Sequence, residues 1–337
     1  MDVAVVGAGI VGASIAYHLA RRGAAVTVLD QGPAPGSGAT GDSFAWVGNT
    51  GGHWPGGADD LRAHVQDDYA RLAADVPGVS PRRCGALTWP APEAGTSPGP
   101  DPGPGRHLLD RDGIAALEPG MRQPPDAAVH VPTDFGIDPV AVTTALLRAA
   151  QSHGAHVVHG VAVTSVSDVQ ERCRADHVVL AAGVGTGPLC AALGVRLPLA
   201  TAPAYLLRFS APPGAVRTIV AGPEFEVREV RDGHLLATAP YTEGGPLPPP
   251  DQVCERIAQQ LAATFEGAAG WRLESWHVGR RPMPAHGPLI GYVGSSSYVA
   301  VLHSAVCLGP TVGRLVAAEL LDDTPHKALR RCRPHAV

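Results

Sequence analysis

Three glycines mark the first place where this chain can do chemistry. Gly7, Gly9 and Gly12 stand in G-x-G-x-x-G spacing, directly after the apolar run Asp2–Val6 and directly before a helical stretch reaching about Arg22. There the first glycine permits a tight turn, the second lets a pyrophosphate approach the backbone, and the third allows close helix–strand packing. The free N–H groups and partial positive charge of the helix N-terminus suit phosphate. Asp30 follows a second apolar run, Ala25–Leu29, where its carboxylate can accept both ribose hydroxyls and would repel a 2′-phosphate. The glycine pattern is weak alone; embedded in strand, turn, helix, strand and acid it becomes specific. Dinucleotide contacts are expected from Gly7, Gly9, Ile10, Val11, Gly12, Asp30 and Gln31. The pattern does not separate NAD from FAD.

Later segments decide between them. Gly36–Gly48 reads GSGATGDSFAWVG, Phe135–Val157 FGIDPVAVTTALLRAAQSHGAHV, and Ala175–Thr186 ADHVVLAAGVGT. Gly279–Gly291 reads GRRPMPAHGPLIG, and Tyr298–Leu320 YVAVLHSAVCLGPTVGRLVAAEL. In this order they resemble the D-amino-acid oxidase/glycine oxidase/sarcosine oxidase family of FAD proteins. The likeness touches nearly the whole chain and is thinnest from about Pro90 to Pro132 and Pro212 to Gly270. The chain departs from most relatives at His303–Pro310, where they carry a glycine-rich run, and at His286, where an acid is usual. No cysteine stands near Arg280–Met283, where the sarcosine oxidase branch ties its flavin, so the resemblance implies non-covalent FAD.

The resemblance places flavin contacts at Gly38, Ala39, Thr40 and Ser43, at Val163, at Ala182 and Gly183, and at Ser304, Val306, Leu308 and Gly309. It implies oxidation of the C–N bond of a small amine or amino acid, such as glycine, an N-substituted glycine or a D-amino acid, with molecular oxygen as acceptor. The flavin would take the hydride, while the protein holds the carbon over the ring, keeps the amine neutral and stabilises the incoming negative charge. For that charge the sequence offers the N-terminus of a final helix beginning near Gly309–Thr311.

Arg281 matches the arginine of the family's G-x-R-P motif, and its guanidinium can grip a carboxylate through two parallel hydrogen bonds. A structural ion pair is the competing reading. Arg280 belongs on the opposite face if the segment is a strand. His303 either accepts the amine proton or hydrogen-bonds the flavin. His53 and Trp54 line the pocket or fill a loop, and Tyr205 and Tyr241 reach the pocket or pack in a sheet. Phe44 and Trp46 are read as core, and Cys307 as structural because nothing nearby would lower its pKa.

These residues need elements to position them. The opening is a βαβ unit. A helix is expected from about Asp59 to Ala74 and another over Asp138–Gln151, begun by an Asp-Pro cap. Strands are expected at Val157–Val166, His177–Ala182, Tyr205–Phe209, Phe225–Val230, Leu235–Ala239 and Tyr298–Leu302, with a last helix over Thr311–Leu321. The Pro/Gly-dense stretches Pro90–Gly105 and Gly244–Pro250 read as surface excursions. The expected fold is α/β: a Rossmann-like FAD-binding domain from residues 1–80, 133–200 and 276–337, with an inserted antiparallel-sheet (α+β) substrate domain from 81–132 and 201–275.

The bulk numbers agree. A chain of 337 residues can hold two domains, or one large core with an inserted layer, and a net charge of -5 offers nothing to nucleic acid or a membrane surface. Six scattered cysteines without C-x-x-C spacing argue against zinc or a disulfide framework and fit a reducing cytoplasm. The apolar N-terminus lacks the basic region of a signal peptide. No G-x-S-x-G elbow exists for hydrolase chemistry. Three rival readings stay open: a same-fold dehydrogenase feeding a quinone or carrier, an NAD-dependent dehydrogenase, and a flavin-binding subunit without turnover.

Overall fold

A computed structural model of the chain describes residues 1–48, 54–90, 103–239 and 247–334. It opens with β1 (Asp2–Val6), α1 (Ile10–Arg21) and β2 (Ala25–Asp30), as the glycine spacing requires. Gly7 holds φ at +113°, and a Cβ there would stand 2.4 Å from the Ala181 carbonyl oxygen. A Cβ on Gly12 would lie 1.9 Å from the Gly7 carbonyl oxygen, so the third glycine lets the helix settle on the turn.

The next segment carries β3 (Trp46–Val47), α2 (Ala58–Arg62) and α3 (Val65–Asp75). The single helix expected from Asp59 to Ala74 is therefore two, broken at Ala63–His64. The break lets each piece bury its own apolar residues, Ala58 and Leu61 in one, Val65, Tyr69 and Leu72 in the other.

Then come β4 (Ala86–Thr88), β5 (His107–Asp110), α4 (Arg111–Leu117), β6 (Ala127–Val131), β7 (Phe135–Gly136) and α5 (Pro139–Ser152). The Asp138 carboxylate caps α5, accepting from the Val140 and Ala141 amides at 3.1 and 3.0 Å. The strand expected over Val157–Val166 is shorter: β8 (His156–His159) stops where Gly160 turns at φ +75°, and Ser165 caps α6 (Val166–Cys173). β9 (His177–Leu180) and α7 (Thr186–Ala192) follow.

The meander consists of β10 (Leu199–Ser210), β11 (Ile219–Ala221), β12 (Glu226–Arg231) and β13 (His234–Thr238). Pro250, expected in a surface excursion, instead starts α8 (Pro250–Thr264), which the sequence reading lacked. β14 (Arg272–Pro284), β15 (Leu289–Tyr292), β16 (Ser297–Val301) and α9 (Ala305–Asp322) complete the chain. His53, Tyr241 and most of the Pro/Gly-dense stretches lie outside the described residues.

Two large sheets result. One has the order β15–β16–β9–β1–β2–β8 and is parallel apart from β15. Helices α1, α3, α5 and α9 cover one face of it, and α6 and α7 the other. The second sheet has the order β14–β10–β13–β12–β11–β4–β6–β5. It is antiparallel except for the β11/β4 pair, and α8 packs on it through Val253, Ile257 and Leu261. The whole is an α/β fold with a Rossmann-like parallel sheet and a largely antiparallel second sheet. Among the described residues no helix is long and apolar enough to cross a membrane.

Candidate functional site

The nucleotide end is built around the start of α1. Its first intrahelical bond runs from Ala13 N to the Gly9 carbonyl at 2.9 Å, so the Ile10, Val11 and Gly12 amides precede it and have no carbonyl partner within the helix. Thr40, reaching in from 30 residues away, accepts the Ile10 amide on Oγ1 at 3.1 Å. Asp30 clamps the turn: Oδ2 accepts from the Ala8 amide at 2.6 Å and Oδ1 from the Gly32 amide at 2.7 Å. The carboxylate expected to take two ribose hydroxyls thus already holds two backbone donors, with one lone pair per oxygen remaining. Gln31 is exposed beside it, and Gly38 is open, with nothing within 4 Å of a Cβ placed there. Ala182 and Gly183 follow β9 against Gly7, while Val163 packs against the core cluster that holds Ala4 and Val6 of β1.

A cavity of about 670 Å³ adjoins this end. Its first wall is the segment from Ala39 to Gly48 with Trp54, and Thr40 belongs to both cavity and helix start. Phe44 and Trp46, read from sequence as core, line this wall instead. Trp46 Nε1 donates to Asp134 at 2.8 Å, and the Phe44 ring lies 5.5 Å from the Arg228 guanidinium carbon. Ser43 faces the cavity while its Oγ accepts from the Ala45 amide at 3.1 Å.

The floor is one cross-strand row of the eight-stranded sheet. Leu207 pairs with Ala237, which sets Leu206 opposite Thr238; Thr238 pairs with Glu226, Glu226 with Ala221, and Ala221 with Thr88. All five residues other than the paired Leu207 and Ala237 line the cavity. Glu226 is the acid in this row, and burial pushes its carboxyl up to about 7, with the Arg281 charge pulling the other way. Sequence reasoning missed it. Glu224, Glu226 and Arg228 alternate with Phe225 and Val227, a pattern that signals a solvent face.

Arg281 reaches the cavity from β14, and Arg280 is exposed on the opposite face, as strand alternation predicts. Arg281 Nη2 also donates to the Pro203 carbonyl at 3.2 Å, which steadies the guanidinium. Tyr205 borders the cavity from β10, while its ring belongs to the core on the α8 side and its hydroxyl donates to the Pro248 carbonyl.

The last wall runs from Leu302 to Cys307 and contains His303. Here the structure corrects the sequence reading: α9 begins at Ala305, not near Gly309–Thr311. Gly309 and Pro310 signal a loop locally, yet the helix runs through both. Pro310 has no N–H for the Val306 carbonyl, and the buried Tyr69 hydroxyl donates to that carbonyl instead, at 2.5 Å. The first bond of α9 joins Leu308 N to Ser304 O at 3.0 Å, so the Ala305, Val306 and Cys307 amides precede it at the cavity. Leu308 is fully buried and Gly309 rests on Ile10, so both belong to the packed side of the helix. Ser304 and Ala45 each hold φ at +56°, and both line the cavity; such strain in non-glycine residues concentrates at functional sites. Burial pushes the Cys307 thiol up to about 12, and its Sγ faces the Gly48 carbonyl at 3.8 Å, which makes it inert.

Two helix N-termini, α1 and α9, therefore open on one groove joined by Thr40. Glycines line the first terminus, and the second presents three leading amides to a space wide enough for a planar ring. These residues fit a dinucleotide whose pyrophosphate lies at α1 and whose electron-accepting ring lies at α9. Among the described residues no cluster has the make-up of a metal site.

Known proteins share this chain's sequence pattern and fold. A glycine oxidase of Bacillus licheniformis is 31% identical over 226 residues, covering 58% of this chain and 57% of that one. A 4-methylaminobutanoate oxidase (formaldehyde-forming) of Paenarthrobacter nicotinovorans is 32% identical over 274 residues, 72% of this chain and 32% of that one. The chain thus spans about half or less of the length of these curated relatives. The crystal structure of glycine oxidase from Geobacillus kaustophilus superposes with a TM-score of 0.83 at 20% identity, covering 99% of this chain and 98% of that one, which establishes the shared fold. The pattern of the FAD dependent oxidoreductase (DAO) family matches residues 2–319, and the chain belongs to that family.

Proposed function

We propose that this protein is a glycine oxidase-like enzyme that oxidises the C–N bond of an amino acid or N-substituted glycine, using non-covalent FAD and molecular oxygen. One observation carries the reading: Arg281, His303 and the leading amides of α9 converge on a single cavity that shares Thr40 with the nucleotide end. FAD held there would supply the two-electron acceptor for the hydride on the substrate carbon, with molecular oxygen reduced to hydrogen peroxide; the imine product is hydrolysed by water to a carbonyl compound and an amine.

The residues divide the remaining work. Arg281 holds the substrate carboxylate in its fork, so that the adjacent carbon is fixed in one orientation. His303 lines the same cavity, and we assign it the amine proton or a ring hydrogen bond. The Ala305, Val306 and Cys307 amides offer positive charge where negative charge builds. Phe44, Trp46 and Trp54 supply apolar walls that exclude water and so strengthen these interactions. The inert Cys307 is the cysteine in the cavity lining, which supports a flavin held without a covalent bond. We assign residues 1–80, 133–200 and 276–337 to the FAD-binding domain and 81–132 and 201–275 to the substrate domain, with β10 and β14 straddling the boundaries.

The test is the visible spectrum of the purified protein before and after anaerobic addition of amino acids and N-alkylglycines. Bleaching of a flavin band by one of them, with rapid recovery in air, is the expected result. Slow recovery in air would move the reading to a dehydrogenase; a D-amino acid dehydrogenase of Cereibacter sphaeroides is 28% identical over 205 residues. Bands that no amine bleaches would overturn amine oxidation.

A further inference from the structure

The Glu226 carboxylate has no work in the mechanism above, yet it stands in the substrate cavity. Its neighbours in the row, Leu206, Thr238, Ala221 and Thr88, are apolar or small hydroxyl residues, and the Thr238 hydroxyl donates to the Tyr205 carbonyl at 2.7 Å. Asp42, the other acid of the lining, is at the rim with its Oδ1 3.8 Å from His277 Nδ1. What acts on Glu226 is burial and the charge of Arg281; among the described residues no hydrogen bond stabilises its ionised form. A buried carboxylate without a donor is costly, and a cation placed beside it removes that cost.

Its distance from Arg281 gives the shape of that cation's owner. Strands β10 and β13 lie between β14, which carries Arg281, and β12, which carries Glu226. Arg281 pairs with Ala202, four residues along β10 from the Leu206 of the Glu226 row. Three inter-strand steps and that offset separate the two backbones by roughly 19 Å, so the two side chains reach toward each other without meeting. A substrate gripped by its carboxylate at Arg281 keeps its α-amine one carbon from that carboxylate, out of reach of Glu226. A cation several methylenes further along reaches it, and the Phe44 and Trp46 side chains offer apolar and π surface to the intervening chain.

We propose that Glu226 determines specificity in this cavity, receiving a distal ammonium group of a substrate whose carboxylate is held by Arg281, so that the substrate class is an amino acid or N-substituted glycine with a second, cationic amine at its far end. The inference rests on the reading of Arg281 given under the proposed function. It adds to that reading the opposite pole of the substrate.

Binding without turnover tests it. The FAD-loaded protein is titrated calorimetrically at pH 8 with hexanoate and with ε-aminohexanoate, which share a carboxylate and chain length and lack an α-amine. The aminated ligand is expected to bind at least about tenfold more tightly, the scale of one charge-assisted hydrogen bond. Glu226→Gln is expected to bring the two within about twofold of each other, and Arg281→Ala to weaken both. Equal binding of the two ligands by the unaltered protein, which needs no variant to fold, overturns the proposal, as does a preference that survives Glu226→Gln. Because neither ligand can be oxidised at an α-amine, a failure of amine oxidation itself is read separately, in the bleaching experiment.

Discussion

Arg281 and Glu226 bring opposite charges into one cavity, and each makes a separate demand on experiment. In the role proposed for it, Arg281 makes a charge-assisted contact to the substrate carboxylate worth about 1.5–3 kcal/mol, so Arg281→Ala should raise KM roughly ten- to a hundredfold. An unchanged KM in steady-state kinetics would assign Arg281 to structure alone. For Glu226 the prediction concerns stability. Burial raises its carboxyl from 4.5 to about 7, so between these values the native state keeps a proton that the unfolded chain has released. The group's contribution is therefore whole below pH 4.5 and is lost as pH rises through about 7. Glu226→Gln carries no charge to desolvate, and relative to the unaltered protein it should gain up to about 3 kcal/mol between pH 5 and pH 8. Arg281, Asp42, His303 and Tyr205 line the same cavity and are unaltered in both proteins, so the difference between the two reads Glu226. Urea denaturation of the ligand-free proteins at the two pH values measures it, and a difference independent of pH would contradict the shift.

At the scale of elements, the start of α9 is the decisive feature, because six residues of displacement move three free amides onto the cavity. Tyr69 makes that start possible by serving the carbonyl that Pro310 leaves open. Burial holds the Tyr69 phenol well above its ordinary pKa, so it stays a donor. Tyr69→Phe should cost about 1–3 kcal/mol by stranding the Val306 carbonyl. In a Pro310→Ala background, where an amide can serve that carbonyl, the same change should cost distinctly less. A double-mutant cycle by chemical denaturation reads the coupling, and additive effects would disprove it. This pairing also explains what the sequence does and does not reveal. The start of α1 was legible because Gly7, Gly9 and Gly12 answer local needs: a positive φ and close backbone approach. The start of α9 was not, because Gly309–Pro310 is a local stop signal overridden by a tyrosine 237 residues from the Val306 carbonyl it serves. The α2/α3 break was hidden for a related reason, since the apolar spacing continues across it while the partners of the two halves differ.

On the scale of the whole molecule, the cavity exists because a loop from the parallel sheet's side lies over the antiparallel sheet. That covering turned the polar face of β12 inward, which is why a strand whose alternation signals a solvent face carries a cavity acid in Glu226 and a buried latch in Arg228. Arg228 is completely buried and donates to the Phe44 carbonyl at 2.6 Å and the Ile137 carbonyl at 2.7 Å. Burial lowers its guanidinium to about 10, so it remains a cation at neutral pH and binds both carbonyls with charge assistance. Arg208 adds a second tie, to the Gly41 carbonyl at 2.8 Å. Arg228→Ala would strand two carbonyls and leave a void where the side chain lay, a loss of about 3–5 kcal/mol by chemical denaturation. The consequence should be regional as well as global. With its latch removed, the Ser43–Val47 wall should lose amide-exchange protection by more than the fall in global stability explains, while α1 and α5 follow the global value. If the wall keeps its protection relative to the rest of the molecule, Arg228 only fills space, and the loop is held over the sheet by Arg208 and the packing of Phe44 and Trp46.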